Sequence, residues 1–202
     1  MRTDLLLLAF LLVGCDFEEG KAVRYLPINP RELIYHKGDV LAFKVDSMTT
    51  GAAIVTNYLK EADDSTHIWY DLVCTDYKAK QIPTIKQLRH HRLFGRKIES
   101  SLDPAGFVIG LDFESVRNDC FIDNATKFYL VGQLPLDTTS IKMGSQGATK
   151  YYGQFVAAFL RGIEQRRLPP DHYSHYSGQD KFRPDEYFPV TSFLTKQARL
   201  LD

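Results

Sequence analysis

Few residues of this chain have the type and spacing to do chemistry. Asp112 and Glu114 are two positions apart, so in a strand their carboxylates fall on one face, the minimum arrangement for paired acid and base work on a glycoside. No nucleophile, partner base or aromatic platform is marked beside them by any motif, which falls short of a glycosidase signature. His172 and His175, in Asp171-His172-Tyr173-Ser174-His175, have the i, i+3 spacing of two metal ligands. They follow Pro169-Pro170 in an irregular stretch with no third ligand nearby, and read as loop residues. His90 and His91 are adjacent and cannot share one helical face, so at best one of them meets a partner. Met143-Gly144-Ser145-Gln146-Gly147 shares only its glycines with a phosphate-cradling loop and reads as a flexible connection to the helix after it. The chain contains no GxSxG, Walker, HExxH or dinucleotide fingerprint. We therefore expect no catalytic residues, no cofactor and no metal, and weight moves from catalysis to binding.

The elements that must position these residues read as follows. With 202 residues, 44% of them hydrophobic, the chain can bury a proper core. Asp39–Asp46, Ala52–Leu59 and Thr66–Cys74 are rich in β-branched and aromatic residues and joined by short polar links, which predicts a meander. In the third strand Ile68, Tyr70, Leu72 and Cys74 share one face, while Trp69 and Val73 beside Asp71 make the other largely apolar as well. Such a strand is expected to be covered on both sides. Pro83–Arg92 reads as a short helix with Ile85 and Leu88 inward and basic residues outward. Phe107–Asp112 and Lys127–Val131 read as further strands. Tyr152, Phe155, Val156, Phe159, Leu160 and Ile163 form one helical face, which ends before Pro169-Pro170. An aromatic-rich loop over Asp171–Pro189 and a short terminal helix near Thr191–Leu201 complete the chain. The expected fold is α+β: a mainly antiparallel, strongly curved sheet or small barrel, with one long amphipathic helix and short helices packed against it.

Charge and cysteine usage narrow the classes. Lys plus Arg equals Asp plus Glu at 25 each, which argues against a general nucleic-acid binder, because counterion release needs a basic surface. Locally the balance breaks: Tyr77 to Ile98 holds seven Lys or Arg and no acid, and Glu99 to Asp123 holds six acids and only Arg117. Those runs are two solvated faces or a docking site for a charged partner. At the N-terminus Arg2 precedes nine apolar residues, Leu5–Val13, then Gly14 and Cys15. That run is too short to cross a bilayer, which takes about 20 residues in a helix. Leu12-Val13-Gly14-Cys15 resembles the lipobox of a bacterial lipoprotein signal, which implies removal of residues 1–14, lipidation of Cys15 and an acidic tether over 15–32. Asp16 resembles an inner-membrane retention signal of enterobacteria, a rule that fails in other bacterial groups, so either envelope membrane fits. In an oxidising compartment Cys74 and Cys120 are a candidate disulfide, the alternative being two buried thiols.

Taken in order, Lys37-Gly38-Asp39-Val40-Leu41-Ala42-Phe43, Gly51-Ala52-Ala53-Ile54-Val55, Trp69-Tyr70-Asp71-Leu72-Val73, Pro83–Leu88, Leu93-Phe94 and Val131-Gly132-Gln133-Leu134-Pro135-Leu136 resemble bacterial immunity protein family 26. The likeness spans about residues 34 to 138. It implies a β-rich domain over 33–140 that binds and neutralises a toxin delivered by a secretion system, with no catalytic residues to carry over. A helical and aromatic-rich extension over 141–202, packed on the same core, lies outside it. Together with the lipoprotein signal, the resemblance implies a cell-envelope location and a toxin that acts there. Arg89, His91 and Arg92 on the basic helix, and Tyr173, Tyr176 and Tyr187 in the late loop, have the residue types that carry interface energy. A structural or adaptor envelope lipoprotein binding a protein or glycan is the alternative, and an envelope hydrolase a third.

Overall fold

The computed structural model describes residues 33–60, 67–99, 107–137, 142–165 and 187–199. Cys15 with the whole signal and tether, Tyr173, Tyr176 and the histidines of 171–175 lie outside the described residues. The predicted meander is present as β1 (Asp39–Lys44), β2 (Thr50–Lys60) and β3 (Ile68–Ala79), paired antiparallel in sequence. Gly38 opens it at φ +89, where an added Cβ would strike the backbone carbonyl of Leu134, so the entry turn needs glycine.

After β3 come α1 (Ile85–Arg89), β4 (Arg92–Glu99), β5 (Phe107–Arg117), α2 (Asn118–Asp123) and β6 (Phe128–Gln133). Then follow β7 (Lys142–Thr149), α3 (Tyr152–Gln165), β8 (Tyr187–Pro189) and α4 (Lys196–Arg199). The fold is mostly strands with few helices. Its sheet runs β6-β1-β2-β3-β4-β5-β7, with β5 also pairing β3 and β8 pairing β4. The sheet curls strongly into a half-barrel, and among the described residues its end strands β6 and β7 do not pair with each other.

Besides β4, α2 and β8, which have no counterpart in the sequence expectation, two stretches differ from it. The predicted flexible connection at 143–147 is strand β7, hydrogen-bonded parallel to β5 from Gly110↔Lys142 to Val116↔Thr149. Its glycines hid it from a propensity argument, yet glycine in a strand marks a close approach. Here the carboxyl group of Glu114 occupies the space that a Cβ on Gly147 would take. The predicted helix over Pro83–Arg92 is shorter, because Thr84 caps it. The Thr84 hydroxyl accepts from the Gln87 amide (3.2 Å), the Gln87 side chain accepts from the Thr84 amide (2.8 Å), and the turn closes at His90.

The sheet is covered on both faces, as the two-sided third strand requires. On one face Ile68, Tyr70, Leu72 and Cys74 of β3 join Leu41, Phe43, Ala53, Val55 and Val116, closed over by Cys120 and Phe121 of α2 and by Phe155, Val156, Phe159 and Ile163 of α3. Its rings meet mostly edge to face, Phe43 against Phe155 at 4.7 Å and against Phe159 at 5.0 Å. On the other face Val73 and Tyr77 join Val40, Ile54, Leu111 and Phe113, closed over by Leu88 of α1 and by Phe188, Val190, Phe193, Leu194 and Ala198 from the C-terminal segment. Of the two alternatives for Cys74 and Cys120, the structure has the second, with both in the first core as buried thiols. Each fills apolar space from a different element, β3 and α2. Burial, with Asp119 and Asp123 adding to it, pushes the Cys120 thiol up to about 12.

Candidate partner-binding surfaces

The residues expected at a binding surface separate once folded. Arg89 ends α1, and its Nη2 donates to the Ala198 carbonyl at 2.6 Å, tying the helix to the C-terminal segment. His91 lies in the turn after α1, not on the helix. Its Nδ1 is 2.7 Å from Asp76 Oδ1, its ring meets Tyr77 edge on at 5.2 Å, and its carbonyl accepts from the Val190 amide at 3.0 Å. Arg92 is the first residue of β4, with its amide donating to the same Asp76 oxygen at 3.0 Å and its side chain exposed. Two of the three basic candidates therefore fasten the fold, and Arg92 alone presents its side chain to solvent. Tyr187 pairs through its backbone with Phe94 in β8.

The carboxylate pair is brought onto one face. Along β5, Leu111 and Phe113 point into the second core and Val116 into the first, so Asp112 and Glu114 lie on the α3 side of the sheet. Burial raises the affinity of Glu114 for its proton, Arg161 of α3 opposes this, and Asp112 adds to it. The pair thus has one carboxyl group biased toward its neutral form beside a second carboxylate. Among the described residues no cluster of three or more His, Cys, Asp or Glu could hold a metal ion.

The surface that sequence reasoning missed lies at the far end of the meander. Cross-strand register sets Leu59 opposite Trp69 and Trp69 opposite Arg117, a row across β2, β3 and β5. The next row inward is polar: Asp71 accepts from Ser115 Oγ at 2.5 Å and from Asn57 Nδ2 at 3.3 Å. Further in, Ile54, Val73 and Phe113 belong to the covered second core. The same face thus passes from buried apolar to hydrogen-bonded polar to a rim where Leu59 is 65% exposed and Trp69 half-buried. Arg117 pairs with Asp119 at the rim. Burial would raise the Asp119 carboxyl, but the hydrogen bond and charge of Arg117, the Cys120 amide and His67 together hold it below the usual range. This arrangement can hold an uncharged or amphipathic surface against a rigid three-strand platform; it carries no reacting group. The signal was present in Trp69-x-Asp71, the polar-aromatic alternation opposite Tyr70 and Leu72.

Comparison with protein-family models, curated proteins and solved structures finds no match to this chain.

Proposed function

We propose that this chain is a membrane-anchored immunity protein that binds a cognate secreted toxin acting in the cell envelope and neutralises it by covering its active surface. The reading takes its anchor from Leu12-Val13-Gly14-Cys15 and its class from the likeness over residues 34 to 138. The observation that carries it is the Leu59–Trp69–Arg117 row, with Leu59 65% exposed on a platform fixed by three paired strands. Trp and Arg dominate interface hot spots, and a rigid platform lowers the ordering cost of binding. The test is capture of the product of the neighbouring gene by the purified full chain. Leu59→Asp with Trp69→Ala should weaken that capture by about 2 kcal/mol or more, roughly thirtyfold, the scale of a hot spot. Unchanged affinity with an unchanged unfolding midpoint removes this row as the binding site. A companion assay asks whether the exported chain protects a cell while a form lacking residues 1–15 does not.

A second reading, an envelope hydrolase, is favoured by Glu114 alone, a carboxyl group biased toward its proton beside Asp112. Release of sugar from peptidoglycan by the wild type, lost in Glu114→Gln, would support it over the first.

A further inference from the structure

The first described residues are locked onto the start of β3. The Ile34 amide donates to the Tyr70 hydroxyl at 2.8 Å. Tyr35 is buried, its ring edge on against Tyr70 at 5.9 Å and Phe121 at 5.0 Å, and the Lys37 ammonium lies 5.9 Å from the centre of the Tyr58 ring. Register sets Tyr58 opposite Tyr70 and Tyr70 opposite Val116. Leu59, Trp69 and Arg117 are the chain neighbours of those three, so their row is the next one along the same strands, toward the end where β2 finishes and β3 begins. The chain thus enters on the first face, and the exposed row lies on the second face of the same end. The opposite end, where β3 reaches Ala79, is about 30 Å away along the strand. From Cys15 to Leu33 the chain can span at most about 65 Å. A domain held at one end meets the anchoring surface with that end, and the far end stands a strand length farther out.

We propose that the Leu59–Trp69–Arg117 row is the membrane-proximal end of the domain, and that the protein it covers is a toxin domain itself held at the lipid surface. The proposal rests on the reading of the chain as a lipid-anchored immunity protein and adds the class of its partner. A protein seated on the row fills the space between sheet and bilayer, which a lipid-bound toxin occupies already. Sharing one surface also confines both partners to a thin layer and raises their effective concentration. The composition of the row favours a protein over the lipid itself. Arg117 is paired with Asp119, and the next row inward holds Asp71 with Ser115 and Asn57. Anionic lipid is instead held by clusters of about four to eight Lys or Arg.

Trp69 is the only tryptophan of the chain, so the row carries its own reporter. The mature lipidated chain is placed on vesicles of phosphatidylethanolamine and phosphatidylglycerol with a dansyl headgroup, and energy transfer from tryptophan is measured. Transfer from Trp69 should exceed that from the double variant Trp69→Phe with Ile82→Trp, whose reporter follows β3 at the far end. It should fall when about 40 Gly and Ser residues are inserted after Gly20. Equal transfer from the two ends overturns the proposal. Quenching of Trp69 by lipid brominated in its acyl chains, with no other protein present, overturns it as well, because the row then docks on lipid. The partner arm sediments the product of the neighbouring gene with the same vesicles in the absence of this chain. Pelleting with the lipid, together with capture that Leu59→Asp and Trp69→Ala weaken, supports the proposal. A product that stays in the supernatant yet is captured through the row overturns the lipid-bound partner and leaves the immunity reading standing. A product that pellets but is never captured removes that reading and this partner with it, while the orientation read from Trp69 stands.

Discussion

Glu114 lies with its carboxyl group in the space over Gly147, beneath α3 and near Arg161. Its environment favours the neutral form, and the sign of the consequence follows from linkage. A carboxyl group whose proton affinity rises on folding contributes stability that is fully present below the ordinary glutamate range and is lost as pH rises through its raised value. Asp119, held low chiefly by Arg117 against the effect of burial, contributes in the opposite sense: its stability is present above the ordinary aspartate range and is lost as pH falls. Glu114→Gln should therefore gain stability relative to the wild type as pH rises through and above the carboxylate range, with the difference vanishing in acid. Urea midpoints of the two proteins across pH decide it; a difference independent of pH would show that Glu114 does not titrate in a shifted range.

At the scale of elements, α1 depends on its cap. A helix of five residues has almost no stability of its own. It is held by the Thr84–Gln87 capping box at one end, the Arg89 contact to Ala198 at the other, and Leu88 beneath. Thr84→Ala should cost about 1 kcal/mol. Amide exchange should locate the loss in α1 and in the C-terminal segment that Arg89 holds; protection unchanged in α1 would mean that packing alone fixes it. β7 shows the reverse dependence. Nothing in its composition favours a strand, and it exists because β5 offers a row of backbone groups and Glu114 requires a glycine opposite it.

The molecule as a whole is a curled sheet with a separate core on each face, and residues beyond 140 close both. α3 covers the first core, and 187–199 cover the second, fastened by β8 on β4, by the Asp137 amide to the Phe193 carbonyl at 2.7 Å and by the Thr195 amide to the Pro135 carbonyl at 2.8 Å. Removing the chain from 187 onward would uncover Val73, Leu93, Leu111 and Phe113 and delete Phe188, Val190, Phe193 and Leu194. Burial of each such side chain contributes about 1.5–3 kcal/mol, so the loss is comparable to the whole stability of an ordinary domain. The truncated chain should lose its cooperative unfolding transition and bind a hydrophobic dye, whereas a sharp transition near that of the wild type would show that the second core closes by other means. α1 of the basic segment lies on the second core and α2 of the acidic segment on the first.

The meander, its two-sided third strand and the apolar face of α3 were legible in the order of residues alone, because the period of apolar side chains is a local property of a strand or helix. The shared face of Asp112 and Glu114 was legible for the same reason. Tertiary structure decided the rest. Whether Arg89 and His91 face a partner or fasten the fold depends on Ala198 and Asp76, and the first of these is remote in the chain. That a glycine-rich stretch becomes β7 depends on what packs opposite it. The Leu59–Trp69–Arg117 row exists only through cross-strand register, which brings together residues from three strands. A sequence records which side chains share a strand face; which strands lie side by side is settled by long-range pairing.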